Sequence, residues 1–339
     1  MMKALLFDLV HPAHVHLFKN VIRHFQEKGH RVVVISRAKD VANVLLEHCH
    51  IDFLSLSRAA SRPRDMLLEL LRRDLGVLKL HRRHNFSAAF GTSASIAHLS
   101  AVSRVKSFVF EMDDDDVVPL FAKLAYPFAT GIVVPASLRY KKWRKKRMIH
   151  NSYHELAYLH PDQFSPDRDV LKRYGLKPHG YIVVRKSALK AHHDLKAQGF
   201  EGPIMESVLD IIKPFPVVSS WEGEGRSSIE PWDMHDILAF AKLVISDSQT
   251  MTRESAILGT PSIRVNSFVG KLSCFDELEN KFGLTFGFRP GDEPKILDTI
   301  RGLLGRGDLA EEWQERRKRL LAEKPNFLKW ITDTFDFKI

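Results

Sequence analysis

Between Leu243 and Val265 the chain reads LVISDSQTMTRESAILGTPSIRV, and this stretch leaves little choice of fold. Leu243-Val244-Ile245 is a short apolar run of β-formers, Ser246-Asp247-Ser248 interrupts it, and helical spacing begins at Met251, Ser255 and Leu258. Gly259 ends the helix, Pro261 prevents its resumption, and Ser262-Ile263-Arg264-Val265 reads as the next strand of a βαβ unit. The turn therefore sits at the carboxyl end of a parallel strand. A helix start of this kind carries unpaired backbone N–H groups and the positive end of the helix dipole, which suits a phosphate. The hydroxyls of Ser248 and Thr250 add donors there. Glu254, roughly two helical turns past Ser248, could accept hydrogen bonds from sugar hydroxyls. Equally, Ser248 could be only a helix cap and Glu254 a solvated side chain.

A chain of 339 residues has room for two such α/β domains, each with its own core. With 44% apolar and 27% charged residues it reads as globular, and no apolar run approaches the ~20 residues needed to cross a bilayer. The opening MMKALLFDLV leads straight into a strand, so the expected location is cytoplasmic, with a peripheral place at the inner face of the membrane open to it. Two cysteines, Cys49 and Cys274, make no disulfide framework, and no C-x-x-C pair suggests structural zinc. The net charge of +10 suits an anionic partner, namely nucleic acid, a membrane surface or a phosphorylated substrate. The absence of zinc-finger and RNA-binding signatures leaves nucleic acid out of the expected partners.

The N-terminal part begins with a buried strand, Ala4 to Val10, and a helix with Val15, Phe18, Ile22 and Phe25 on one face, stopping at Gly29 before the strand Arg31 to Ser36. His11, His14 and His16 cluster where the first strand hands over to its helix, the usual ligand position in an open α/β sheet. They could hold a metal, cap the helix, or supply one general base, for which His14 is the candidate. From Arg62 to Arg83, Leu67, Leu70, Leu71, Leu75 and Leu78 form a helical stripe among arginines and lysines, as in a surface helix of the outer layer or one that lies on anionic lipid. Gly91-Thr92-Ser93-Ala94-Ser95 is a second small-residue turn between a strand and a helix, which puts Thr92 and Ser93 among the candidate substrate contacts. After the strand Ser107 to Phe110 come four aspartates, Asp113 to Asp116, which could bind a cation, favour the start of the helix Val117 to Tyr126, or place one base, Asp113, in a cleft. The run Lys141 to Arg147 could seat on phospholipid headgroups or an anionic acceptor, or be a solvated loop.

A Tyr-, His- and Pro-rich connection places the domain boundary near Pro161, giving domains 1–160 and 161–322 and a C-terminal helix, 323–339, that can pack back on the first domain. Tyr181 to Val184 opens the second sheet, and Arg185 follows at its carboxyl end, with His192, His193 and Asp194 close behind as candidate substrate contacts. Gly223-Glu224-Gly225-Arg226 lacks the third glycine of a dinucleotide fingerprint and is discounted.

The stretch from Ser246 resembles the nucleotide-sugar site of two-domain GT-B glycosyltransferases and of UDP-N-acetylglucosamine 2-epimerases, where an S-D-S-G-G-x-Q-E-E-like turn and helix hold diphosphate and ribose. The resemblance puts Ser248, Gln249 and Thr250, with Asp247 before them, on the diphosphate-binding turn, and Glu254 on the ribose-binding glutamate. Gln249-Thr250 replaces the epimerase glycine pair, and Arg253 stands where the epimerases have the first of two glutamates. Other stretches are similar to the family known as domain of unknown function 354: Asp8 with His11 to Lys19, Gly91-Thr92-Ser93, the aspartates from Asp113, Tyr158-Leu159-His160-Pro161, Arg185 with Ala191 to Asp194, Asp233-Met234-His235-Asp236, and Arg264 to Ser267.

The resemblance implies two Rossmann-like α/β domains facing across a cleft, and a metal-independent glycosyltransferase that moves a sugar from a UDP-sugar to a glycan or lipid-linked acceptor in cell-surface polysaccharide synthesis. No cofactor is implied beyond the donor. A UDP-N-acetylhexosamine 2-epimerase and a non-catalytic binding protein of the same fold are the alternatives.

Overall fold

The computed structural model describes residues 2–38, 40–58, 62–186, 200–221, 229–336 and 338. Two compact units divide the chain: Met1–Tyr158 with Pro325–Ile339, and Leu159–Lys324.

The first unit alternates strand and helix: β1 (Ala4–Leu9), α1 (Pro12–Glu27), β2 (Arg31–Ala38), α2 (Asp40–His48), β3 (Phe53–Arg58), α3 (Pro63–His84), β4 (Ala88–Gly91), α4 (Ala94–Val102), β5 (Lys106–Phe110), α5 (Pro119–Ala125), β6 (Gly131–Pro135) and β7 (Arg147–His150). These strands form one sheet in the order β3-β2-β1-β4-β5-β6-β7, every pairing parallel. The order reverses between β1 and β4, so the carboxyl ends of those two strands flank the switch point. Val15, Phe18, Ile22 and Phe25 of α1 are fully buried, as their spacing predicts, and Phe7 meets Phe18 edge-on at 5.5 Å.

The second unit contains α6 (Asp169–Arg173), β8 (Ile182–Lys186), α7 (Pro203–Ile212), β9 (Val217–Trp221), α8 (Met234–Ala239), β10 (Leu243–Ser246), α9 (Gln249–Leu258), β11 (Ser262–Val265), α10 (Ser273–Asp276), β12 (Thr285–Phe288), α11 (Glu293–Leu304) and α12 (Leu309–Glu323). Its parallel sheet has the order β12-β11-β10-β8-β9, with the reversal between β8 and β10. Arg264 of β11 is fully buried, its guanidinium 3.6 Å over the Phe275 ring and 3.0 Å from Glu279. Desolvation lowers its pKa and raises that of Glu279, each opposed by the other's charge.

The last helix, α13 (Phe327–Phe335), returns to the first unit. Phe335 packs edge-on to Phe90 and Phe108 at 5.1 and 4.6 Å, and Asp336 pairs with His24 and Lys28 of α1 and its cap. No described helix is long and apolar enough to cross a membrane.

Three expectations need correction. Helix α3 forms over the expected residues, but the outer-layer reading, which would pack its leucine stripe on the sheet, fails in orientation: Leu67, Leu71 and Leu75 are exposed, while Glu69, Arg73 and Val77 face in. The cause is a buried polar network, in which Arg37 grips Glu69 through two bonds of 2.7 and 2.6 Å and Arg73 reaches Asp8, Ser57 (2.9 Å) and the Ser36 carbonyl (3.2 Å). The aspartates do not act as a block or start a helix, because α5 begins only at Pro119. The basic run is not one solvated surface either. Lys146 binds the carbonyls of Tyr126, Pro127 and Ala129, and Arg147 opens β7, pairs with Asp115 at 2.6 Å and stacks 4.4 Å from the Tyr140 ring.

Candidate functional site

In the second unit the turn after β10 enters α9 at the switch point. Ser246 Oγ accepts from the Ser248 amide at 2.8 Å, Ser248 Oγ caps the helix by accepting from the Met251 amide at 3.4 Å, and Thr252 Oγ1 donates to the Ser248 carbonyl at 2.7 Å. The hydroxyls thus close the turn, and the amides of Gln249 and Thr250 bond to nothing among the described residues. Ser248, Gln249 and Thr250 are only half-buried, whereas Asp247 and the rest of α9 are buried. The helix mouth is therefore open, and its free N–H groups and dipole favour an anion.

Arg185, across the switch point at the end of β8, lies in register with Ser246 on one side and Ser220 on the other. Its Nη1 donates to Ser220 Oγ at 2.7 Å and its carbonyl accepts from the Asp247 amide at 3.4 Å. One terminal nitrogen of the planar guanidinium is thus held by Ser220, and the helix mouth stands one strand away, about 5 Å across the sheet. Asn266 Nδ2 ties the loop after β11 to the Asp247 carbonyl at 2.8 Å.

Glu254 is neither solvated nor simply displayed. It is buried on the inner side of α9, and Oε1 lies 3.1 Å from Nε2 of buried His235 on α8. Around this pair Asp233 accepts from Arg173 and Tyr174 at 2.7 and 2.6 Å, and Asp236 accepts from the Asp167 amide at 2.7 Å, its pKa raised by burial. His192, His193 and Asp194, like the Gly223–Arg226 fragment, lie outside the described residues.

The first unit has its own cluster at its switch point. A Cβ on Gly91 would come 2.5 Å from the Asp8 carbonyl, so only glycine lets the end of β4 lie this close to β1. That approach brings Thr92 Oγ1 to His14, 2.8 Å from Nδ1 and 3.0 Å from Nε2, and Ser93 Oγ to the buried carboxylate of Asp8, which Arg73 also pairs. With its hydroxyl turned to Asp8, Ser93 precedes α4 without capping it, unlike Ser248 on α9.

The three histidines separate into different roles. His11 caps α1 by accepting from the Ala13 amide at 3.2 Å, His16 is buried with its ring 5.4 Å from Tyr158, and His14 alone sits half-exposed beside Thr92. The aspartates diverge as well: Asp114 accepts from the Arg139 amide at 2.7 Å, Asp115 takes Arg147, Asp116 is exposed, and Asp113 keeps a buried Oδ1 without a partner among the described residues. Asp113 follows β5, two strands from β1, about 10 Å along the sheet edge from the strand that leads to His14.

Missing from the sequence-based set are His235, Ser220, and the Asp8–Arg73 pair behind Ser93. Arg73 had one legible signal: with Glu69 and Val77 it recurs at a spacing of four, opposite the leucines.

A family model described as "Protein of unknown function (DUF354)" matches residues 4–281. No curated protein matches the sequence. The chain is similar in structure to the UDP-GlcNAc 2-epimerase from Neisseria meningitidis bound to UDP-GlcNAc, with a TM-score of 0.70, 10% identity, and 98% of this chain and 99% of that one covered. It is similar to the UDP-GlcNAc 2-epimerase from Methanocaldococcus jannaschii in complex with UDP-GlcNAc and UDP, with a TM-score of 0.66, 10% identity and coverage of 94% and 99%. The spinosyn forosaminyltransferase SpnP gives a TM-score of 0.64 at 12% identity, with 98% and 99% covered. At these identities the likeness establishes the fold: mixed α/β with two parallel sheets, of the GT-B kind.

Proposed function

We propose, from the premise that this chain belongs to the DUF354 family of proteins of unknown function, that it is a metal-independent glycosyltransferase using a UDP-sugar donor and a glycan or lipid-linked acceptor in cell-surface polysaccharide synthesis. The observation that carries this reading is the open mouth of α9, with the unbonded amides of Gln249 and Thr250 at the switch point and Arg185 on the neighbouring strand. A diphosphate seated there receives the two unbonded backbone N–H groups, with the guanidinium of Arg185 on the neighbouring strand.

In the reaction, the acceptor oxygen attacks the anomeric carbon as His14, or Asp113 in its place, takes the hydroxyl proton. The bond from that carbon to the diphosphate oxygen breaks, and UDP leaves with its new charge on the α9 amides and Arg185. These donors provide the charge stabilisation that a metal otherwise supplies. The partners that follow are a nucleotide sugar, the acceptor, and an anionic membrane surface if the acceptor is carried on lipid.

The fold is equally that of the 2-epimerases, which makes epimerisation the second reading. Against it, the position that resembles their first glutamate holds Arg253, buried 5.7 Å from the Phe275 ring, so no carboxylate stands there to move a proton at C2. A thermal-shift screen over nucleotide sugars tests the common premise, since a ligand that binds only the folded form raises its melting temperature. UDP or a UDP-sugar should raise it, and Arg185→Ala should shrink the rise. A manno product from UDP-N-acetylglucosamine alone would move the assignment to epimerase. Binding with no turnover on any acceptor extract would leave a binding protein.

A further inference from the structure

Helix α3 has its polarity reversed with respect to the sheet it covers. Its inner face carries the buried Glu69 and Arg73, and its outer face exposes Leu67 (59%), Leu68 (51%), Leu71 (51%) and Leu75 (68%). Exposed leucines scattered singly need no explanation, but four on one face of one helix form a patch, and such patches mark contact sites. At 100° per residue Leu71 and Leu75 lie at the centre of this face, Arg64 and Arg82 continue it toward the two ends, and Arg72 and Lys79 run along one flank. All four cations are exposed, and none is paired with an acid among the described residues.

The same layer continues through α4 to α5. His98 of α4 joins them, bonding Asp74 of α3 at 2.8 Å and the Leu124 carbonyl of α5 at 3.0 Å. Beyond it Leu120 and Phe128 are exposed. The loop anchored by Lys146 to the carbonyls after α5 holds further exposed cations, Lys141, Lys142, Arg144 and Lys145.

We propose that the outer face of α3 is a docking surface for an anionic phospholipid bilayer, with the helix lying flat in the interface. Its 22 residues span about 33 Å, enough for one face to lie along headgroups without crossing. The leucines enter the acyl boundary while the arginine and lysine stems lie along it and their charges meet lipid phosphate. Charge decides the occupant. On and beside this face the exposed charges are Arg64, Arg72, Lys79 and Arg82 against Asp65, a cationic excess that a second copy would double and that an anionic bilayer neutralises. The proposal does not depend on the sugar-nucleotide reading, because it uses none of that site's residues.

The test is flotation of the full chain with vesicles of phosphatidylcholine alone or with about one-third phosphatidylglycerol. The expected result is binding to the anionic vesicles only, weakened by added salt, reduced at least about tenfold by Leu71→Gln with Leu75→Gln, and roughly fivefold per cation removed in Arg72→Gln with Lys79→Gln. Unchanged melting temperatures of these surface variants confirm that they fold. No flotation, or flotation indifferent to both double variants, overturns the proposal, as does a dimer in sedimentation that Leu71→Gln dissolves. Failure of UDP-sugar binding leaves the flotation result intact, so the two readings fail separately.

Discussion

Nε2 of His235 and Oε1 of Glu254 face each other at 3.1 Å with both side chains buried, one on α8 and the other on the helix whose mouth is the candidate diphosphate site. The contact holds α9 against its neighbour from behind. Glu254→Ala removes the carboxylate partner of the buried His235 ring and should cost about 1–3 kcal/mol in urea unfolding. Glu254→Gln keeps a hydrogen bond and should cost less. If Glu254 also touches ribose, titration calorimetry with UDP will show Glu254→Gln binding more weakly at near-normal stability; unchanged affinity would confine Glu254 to positioning α9.

The Asp8–Arg73 pair lies wholly inside the first unit, with Ser93 as the third member. Arg73→Met strands a buried carboxylate and should destabilise by about 3–5 kcal/mol, while Asp8→Asn combined with Arg73→Met should recover a good part of that loss. The two unfolding curves measure this. A single variant no less stable than the double one would show that the carboxylate has another counter-charge.

Thr92 on His14, and the distance from His14 to the aspartate turn, lead to unequal expectations for the two candidate bases. His14→Gln should lower kcat by about 100- to 10,000-fold on the acceptor substrate, with donor affinity unchanged, and Asp113→Asn should lower it far less. The reverse order would give the base to Asp113, whose buried Oδ1 has no partner among the described residues. Equal activity in both variants would remove the base from this unit.

His98 gives a dependence on pH. Its hydrogen bond to Asp74 raises its pKa above the ordinary histidine value, although burial works the other way. A folded-state pKa above the unfolded value of about 6.5 means that the tie contributes fully below that pH and is lost as pH rises through the folded value. Both groups are partly exposed, so the effect is on the order of 1 kcal/mol or less. Asp74→Asn should therefore lower the melting temperature more at pH 6 than at pH 9. A penalty that grows with pH would refute the assignment.

Much of this architecture was legible in the amino-acid order because it depends on local periodicity. The α1 stripe from Val15 to Phe25, the strand–turn–helix–strand run from Leu243 to Val265, and Gly259, which ends α9 in the left-handed conformation at φ 74°, follow from spacing and backbone freedom within a few residues. The parallel sheets follow from the repeated βα order. Edge strands β3, β7 and β12 were harder to read, since their short, partly exposed runs lack the continuous apolar pattern of central strands.

Only tertiary structure decided which way α3 faces. Its leucines predict an inward stripe by periodicity alone, but a single buried carboxylate on β1 requires a counter-charge, and Arg73 supplies it from the opposite side of the helix. In the same way, local order determined where the turns at Thr92 and Ser248 lie, while strand order alone put each beside a switch point, because that position depends on which strands are neighbours and not on what any strand contains.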